Sequence, residues 1–394
     1  MTNQVKKVPE LRFPEFDGEW EEKKLGDIAH ITMGQSPKSS NYTNNDQDMV
    51  LVQGNADMKK GQIYPRIYTI EITKLAEIDD ILLSVRAPVG ELAIAQIRAC
   101  IGRGVCAINA NKFVYYNLEL FKVRNTWKLF SQGSTFESIS GNEIKKINFQ
   151  IPISKSEQQK IGGFFSKLDR QIELEEQKLE KLEEQKKGYM QKIFSQEVRF
   201  KDDHGNEYPN WETKKLDNIL SERNYKQVPE KDVPLMAFTS TGGIEDKGER
   251  YNREFLVKNK NKKYKRTEFN DLIYSSNNLD VGAIGLNRYG TSVISDVYEI
   301  FVVKEKTSPQ YIEMAITQPK FMYKILKYRQ GALYGQFKIH PRDFLNIYIE
   351  LPSTKEQNKI GDFLNELDEL IEKQSHKIEL LKERKKGFLQ KMFV

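Results

Sequence analysis

Apolar residues alternate at spacings of four and three over two long stretches of the chain. From Glu157 to Phe194 the seam is Ile161, Phe165, Leu168, Ile172, Glu175, Leu179, Leu182, Lys186, Tyr189 and Ile193. From Glu356 to Phe393 it is Ile360, Leu364, Leu367, Ile371, Gln374, Ile378, Leu381, Lys385, Phe388 and Met392. This spacing keeps one stripe turned towards a partner helix, as in a coiled coil. Polar residues interrupt both seams at matching places, Glu175 with Gln374 and Lys186 with Lys385. Aligned without a gap, the two stretches are identical at 20 of 38 positions, so they are copies of one repeat. If fully helical, each is ~57 Å long at ~1.5 Å per residue. Each follows an Ile/Leu-Pro pair (Ile151-Pro152, Leu351-Pro352) and opens with Ser-x-x-Glu, Ser154 to Glu157 and Ser353 to Glu356. That is the capping-box pattern, in which the Ser oxygen accepts from an orphan backbone N–H and the Glu reaches back to the cap.

Between the helical stretches the period changes. Short β-rich runs such as Met49–Val52, Ile81–Val85 and Val105–Ile108 are broken by Gly, Asn, Asp and Pro, and a helix is expected near Tyr116 to Phe130. The second half returns the same order. Arg12-Phe13, Trp20 and Lys23-Lys24-Leu25 match Arg199-Phe200, Trp211 and Lys214-Lys215-Leu216. Asp80–Ser84 matches Asp271–Ser275, Val89-Gly90 matches Val281-Gly282, Gln132-Gly133 matches Gln330-Gly331, and Ile139 matches Ile339. Outside these anchors the halves share little. The expected fold is α+β: two globular domains joined by two long antiparallel coiled-coil helices with pseudo-two-fold symmetry. The boundaries are residues 1–152 for the first domain, 153–198 for the central helix, 199–352 for the second domain and 353–394 for the last helix. Leu168, Ile172 and Leu182 are expected to pair with Leu367, Ile371 and Leu381 in antiparallel order, which brings Leu168 near the Lys385–Phe388 end.

Composition narrows the class. A chain of 394 residues, 30% charged and 38% hydrophobic, is long enough for two cored domains. A net charge of +6 permits an acidic partner without requiring one. Cys100 and Cys106 match no zinc spacing and are expected to be small core residues in a reducing compartment. No signal peptide and no run of 18 apolar residues is visible, so a cytoplasmic protein without a membrane span is expected.

The search for chemistry finds no Walker A loop, His-Glu-x-x-His, Gly-x-Ser-x-Gly or Asn/Asp-Pro-Pro-aromatic motif. Ile101-Gly102-Arg103-Gly104 breaks off before it completes a dinucleotide fingerprint, and the four histidines do not cluster. No catalytic residue and no metal site is assigned. What the divergent loops do carry is side chains suited to nucleic acid: Arg pairs with guanine, Asn and Gln with adenine, while Lys, Ser, Thr and backbone N–H groups hold phosphates. In the first domain the candidates are Ser36, Lys38, Gln53, Asn55, Arg86, Arg103, Gln132, Ser134 and Thr135. In the second they are Arg223, Tyr225, Lys226, Ser240, Thr241, Asn277, Asn278, Arg288, Tyr289, Lys338, His340 and Arg342. Any one of them could be an ordinary solvated loop position. The basic run Lys258–Arg266 suits either a phosphate track or a solvated hairpin face.

The layout resembles the specificity subunit (HsdS) of type I restriction-modification systems over essentially the whole chain. The Arg-Phe…Trp…Lys-Lys-Leu opening, the Pro-x-x-x-Glu-Gln helix start and the Lys-Lys-Gly-(aromatic)-Met/Leu-Gln-Lys-(Ile/Met)-Phe helix end carry the resemblance. It implies a non-catalytic reader of double-stranded DNA, with two target-recognition domains that each read half of a split site. The paired helices would act as a ruler and dock two methyltransferase (HsdM-like) subunits, which bind S-adenosylmethionine. Endonuclease/translocase (HsdR-like) subunits using ATP and Mg would join them. A nuclease or methyltransferase, or a coiled-coil scaffold without DNA, are the rival classes, disfavoured by the absent motifs and by the duplicated polar-loop domains.

Overall fold

The computed structural model describes residues 7–128, 138–239, 243–245, 261–275, 283–328, 330–331 and 337–394, without the side chains of 330–331 and 337–338. The chain divides into two units, Met1–Leu179 with Gln374–Val394, and Glu180–Lys373.

In the first unit the opening strand β1 (Glu21–Lys24) pairs antiparallel with β7 (Asn148–Ile151), the strand just before the long helix. Between them, β2 (His30–Met33), β6 (Val105–Asn109), β4 (Ile81–Ser84) and β5 (Leu92–Ile94) lie side by side in a six-stranded sheet. Strand β3 (Met49–Val52) belongs to a five-stranded sheet. All four residues of β4 are buried, which is why it reads as an unbroken apolar run rather than an alternating one. One core, including Val52, Leu82, Ala93 and Val105, uses its inward face, and the other uses Ile81 and Leu83. Cys100 and Cys106 are free and fully buried, and burial pushes the Cys106 thiol up to about 12. Helix α1 (Lys112–Val123) starts earlier than the expected Tyr116, because the Asn111 side chain caps it, accepting from the Val114 N–H at 3.2 Å.

The second unit repeats this frame. Leu220–Glu222, Tyr298–Val303, Leu272–Ser275 and Ile284–Leu286 follow the same order, and Glu212–Lys215 pairs with Tyr348–Leu351 as β1 pairs with β7. Its counterpart of α1 is shorter, Pro309–Ile316, because Pro319 opens a new helix two residues later.

The long helices are α2 (Lys155–Phe194) and α5 (Thr354–Met392), with Pro309–Ile316 and Pro319–Leu326 as α3 and α4. Only half of the capping box forms. The Glu157 N–H donates to Ser154 Oγ at 3.4 Å and the Glu356 N–H to Ser353 Oγ at 3.4 Å. The carboxylates are taken elsewhere, by the arginines that open each half. Arg12 Nε and Nη2 donate to the two oxygens of Glu157 at 2.7 and 2.9 Å, and Arg199 holds Glu356 at 3.1 and 2.8 Å. Each arginine also donates to carbonyls of the turn that follows it, Asp17 and Gly18 for Arg12, Tyr208 and Pro209 for Arg199. Hence the repeated Arg, polar turn and Glu: together they clasp each domain's opening to the start of its helix.

Within each unit the helix segments pack antiparallel. In the first, Phe164 meets Phe388 with centroids 5.2 Å apart, Asp169 accepts from Lys385 at 2.6 Å, and Glu175 accepts from Gln374 at 2.7 Å. In the second, Lys186 bonds Asp368, and Tyr189 meets Phe363 at 5.1 Å. Of the seam residues, Ile172 is buried and Leu168, Leu182, Leu367, Ile371 and Leu381 are half-buried. Leu168 lies beside the Asp169–Lys385 pair, at the end expected for it. The polar breaks are pseudo-symmetric partners: Asp169 and Asp368 occupy one position of the repeat, Lys385 and Lys186 another.

Candidate nucleic-acid interface

In the first unit the site is built on one turn. Gly102, Arg103 and Gly104 join Ala99–Ile101 to β6, and the Val105 N–H closes the turn on the Gly102 carbonyl at 3.1 Å. Three loops are laced to it by backbone bonds. Gly34 donates to Val105 at 3.0 Å and Gln35 to Ile101 at 2.9 Å; Gly102 donates to Val52 at 2.8 Å, and Val85 to Gly104 at 2.8 Å. The lacing needs backbones without side chains. A Cβ on Gly34 would sit 2.2 Å from the Gly102 carbonyl oxygen, and one on Gly104 2.2 Å from that of Gln53. The Gly-Arg-Gly that fails as a dinucleotide fingerprint therefore has a structural purpose. It presents Arg103 at the meeting point of the loops.

Ser36, Gln53, Arg86 and Arg103 are brought together here. Ser36 Oγ accepts from the Arg103 N–H at 3.1 Å and so holds the turn, and Gln53 is half-buried against the two turn glycines. Arg86 follows the Val85 rung and forms a bridge with Ser138, while buried Ser84 fixes its loop by donating to the Pro88 carbonyl at 2.7 Å. Lys38 and Asn55 flank the cluster, both exposed, and the Lys38 N–H donates to Glu71 at 2.9 Å. Gln132, Ser134 and Thr135 lie outside the described residues.

Charge separates the candidates further. Arg86 and Arg103 are exposed and meet no carboxylate among the described residues. The acids on adjoining loops are engaged elsewhere. Asp57 takes Arg66 at 3.0 Å, Glu91 takes Lys122 at 2.7 Å, and bonds from the Lys38 N–H and the Asn41 amide hold the Glu71 carboxyl below its ordinary range.

The second unit treats its cations differently, and several of the candidates are paired within the fold. Arg223 is half-buried and clamps buried Asp271, with Nε 2.7 Å from one oxygen and Nη2 3.1 Å from the other. Burial still raises the Asp271 carboxyl, with Arg223 opposing the shift. Arg223 is thus engaged in an ion pair inside the fold. Arg288 donates to Glu313 at 2.5 Å, and Lys226 lies 3.0 Å from Asp296. In the described part of the basic run, Lys265 is buried and donates to Glu299 at 2.6 Å, and Arg266 pairs with Glu268 at 3.1 Å. Tyr225 and Tyr289 remain exposed, the latter on a turn held by the fully buried Asn287 side chain, which accepts from the Tyr289 and Gly290 N–H groups. His340 and Arg342 are exposed at the start of the short helix Pro341–Leu345, and Arg342 has no carboxylate partner among the described residues. The Lys338 backbone pairs with Gln330, but its side chain is not among those described. Ser240, Thr241, Asn277 and Asn278 lie outside the described residues.

Sequence reasoning missed the Arg12–Glu157 and Arg199–Glu356 clasps, although their positions repeat in both halves, and it missed the lacing by Gly34 and Gly104. Among the described residues no helix is long and apolar enough to cross a membrane.

Comparison with known proteins gives a consistent result. The family model described as the type I restriction modification DNA specificity domain matches residues 17–184 and again 208–383. A protein of Methanocaldococcus jannaschii that carries the name of a type I restriction enzyme specificity subunit, MjaX, is 34% identical over 197 residues, 48% of this chain and 45% of that protein. The MjaIX specificity subunit of the same organism is 27% identical over 239 residues, 55% of each. The chain thus spans about half the length of the curated relatives it matches. Among solved structures, the S subunit of a type I restriction-modification system from M. genitalium aligns over 98% of this chain and 99% of its own, with a TM-score of 0.62 at 15% identity. A chain from a structural study of type I system assembly and conformational transition aligns over 95% and 97%, with a TM-score of 0.55 at 14% identity. At these identities the structural likeness is one of fold.

Proposed function

The chain belongs to the type I restriction-modification DNA specificity domain family, and from that premise we propose that it is the DNA sequence-recognition subunit of a type I restriction-modification complex in the cytoplasm. Each domain reads one half of a bipartite site in double-stranded DNA. The two helices set the unread spacer and dock two methyltransferase subunits. Those subunits bring S-adenosylmethionine, and endonuclease subunits bring ATP and Mg. This chain contributes recognition and no catalysis.

The observation that carries the reading is the pair Arg86 and Arg103, exposed without carboxylate partners on loops locked by backbone bonds. An exposed guanidinium without a carboxylate partner gains most from an anionic or hydrogen-bond-accepting partner. A rigid backbone suits base readout, because Arg must meet guanine O6 and N7 together.

The test is genome-wide mapping of methylated adenines with the matching methyltransferase subunit present. Arg103→Ala should relax one G·C position in one half-site, at about 1–3 kcal/mol of lost discrimination, and leave the other half-site intact. Uniform weakening with every position retained would make Arg103 a phosphate contact, and simultaneous change in both half-sites would end the idea of independent readers.

A further inference from the structure

Arg86 and Arg103 offer donors only, which suits guanine. Beside the Arg103 turn stands a side chain with a donor and an acceptor, both unspent. Gln53 is half-buried, its Cα and Cγ lying 3.3 and 3.4 Å from where a Cβ on Gly102 would stand. Its carboxamide makes no bond among the described residues. Gln96 in the same unit shows the ordinary alternative: its oxygen accepts from the Ile63 N–H at 2.9 Å and its nitrogen donates to the Ile63 carbonyl at 2.7 Å.

The backbone that carries Gln53 is fixed from both sides. The preceding carbonyl, that of Val52, accepts from the Gly102 N–H at 2.8 Å, and the Gln53 carbonyl lies where only a glycine at position 104 leaves room. On the other side Asp57, 4% exposed, folds back over the loop. One of its oxygens accepts from the Gln53 N–H at 2.8 Å and the Gly54 N–H at 3.3 Å, and the other accepts from Arg66 Nε at 3.0 Å. A buried carboxylate persists only where it is paired and hydrogen-bonded. Here those bonds hold the loop of Gln53, with Arg66 supplying the balancing charge.

We propose that Gln53 is a specificity-determining residue that reads an adenine in the half-site of the first domain, and that Asp57 is its positioning residue. The inference rests on the functional reading above and deepens it. A carboxamide presents one donor and one acceptor side by side. In the major groove only adenine offers the matching pair, the N7 acceptor and the N6 donor, whereas guanine shows two acceptors, cytosine a donor, and thymine an acceptor beside a methyl group. Both bonds form together only if the carboxamide arrives at a set height and angle, and the Asp57 bonds to Gln53 and Gly54 set them.

The full chain is assembled with its methyltransferase subunit, and the methylated motif is compared between variants. Gln53→Ala loses about tenfold in preference for adenine at one A·T position, the scale of one bidentate base contact. Asp57→Ala relaxes the same position, and Asp57→Asn, which keeps an oxygen for the Gln53 N–H, restores most of the preference. A synthetic duplex then carries 7-deazaadenine, with C–H in place of N7, at that position: the wild-type complex binds it more weakly than adenine, and the Gln53→Ala complex binds both alike. Gln53→Ala with its motif unchanged, or relaxed only at a G·C position, would overturn the assignment of Gln53. An Asp57→Ala protein that melts lower but keeps every base of the motif would overturn the positioning role. Both results leave the functional reading standing, whereas a wild-type complex without sequence-specific methylation would overturn that reading itself.

Discussion

The Arg199–Glu356 clasp can be tested quantitatively. The Glu356 side chain is 0% exposed and Arg199 is 22% exposed, so the carboxylate depends on this one guanidinium while the arginine keeps some water. Arg199→Ala would leave a buried carboxylate without its cation. Breaking such a pair costs about 3–5 kcal/mol, and Arg199's residual exposure points to the lower end. In a unit of this size 1 kcal/mol moves the melting temperature by about 2–4 °C, so calorimetry should show a drop of about 6–12 °C. Replacing both partners, as Arg199→Met with Glu356→Met, leaves no charge to strand and should recover most of the loss. The matching Arg12→Ala should cost less, because Glu157 also accepts from Trp20 Nε1 at 3.3 Å. An Arg199→Ala protein melting within about 2 °C of wild type, or a double variant no more stable than the single, would refute the clasp as the link between domain and helix.

Two further outcomes follow from the ion pairs. Arg223→Ala should lower stability in urea by about 3 kcal/mol through the stranded Asp271, yet leave the methylated sequence unchanged; a relaxed half-site instead would return Arg223 to the DNA surface. In the first unit, burial raises the Glu119 carboxyl above its ordinary value while Lys385, 2.6 Å away, opposes the shift. Removing that cation with Lys385→Met should raise it further. A carboxyl whose folded pKa lies above its unfolded value stabilises the fold only while protonated, so stability should fall as pH rises through the folded pKa. Unfolding curves of Lys385→Met should therefore strengthen on acidification towards the ordinary carboxylate range, and adding Glu119→Gln should remove most of that slope.

Much of the architecture was legible because it is written twice. The heptad seams, the Trp and Lys-Lys-Leu openings and the Asp-Ile/Leu runs each gain meaning from their second copy. A seam of Ile172 and Leu168 with polar breaks at matched places already demands a partner with the same breaks, and the Asp169–Lys385 and Lys186–Asp368 contacts meet that demand. The role of Glu157 was misread because its local sequence fits a complete capping box. A partner 145 residues away, Arg12, outcompetes the cap's own N–H with a charged bidentate bond. Local pattern assigns the residue, but long-range charge decides where its oxygens go.

The interface was less legible for a related reason. Sequence shows where arginines stand in loops and not whether a carboxylate faces them. Arg86, Arg103, Arg223 and Arg288 look alike as letters, all arginines outside the regular apolar runs. The fold divides them: Asp271 and Glu313 neutralise two, while the lacing around Gly102–Gly104 leaves the other two uncompensated. An arginine already paired must surrender its carboxylate before it can meet a base, and that exchange consumes most of what the new contact would contribute. An unpaired arginine on a fixed backbone gives up only water. The difference is a property of the assembled loops, and it makes Arg86 and Arg103 better candidates for readout than Arg223 and Arg288.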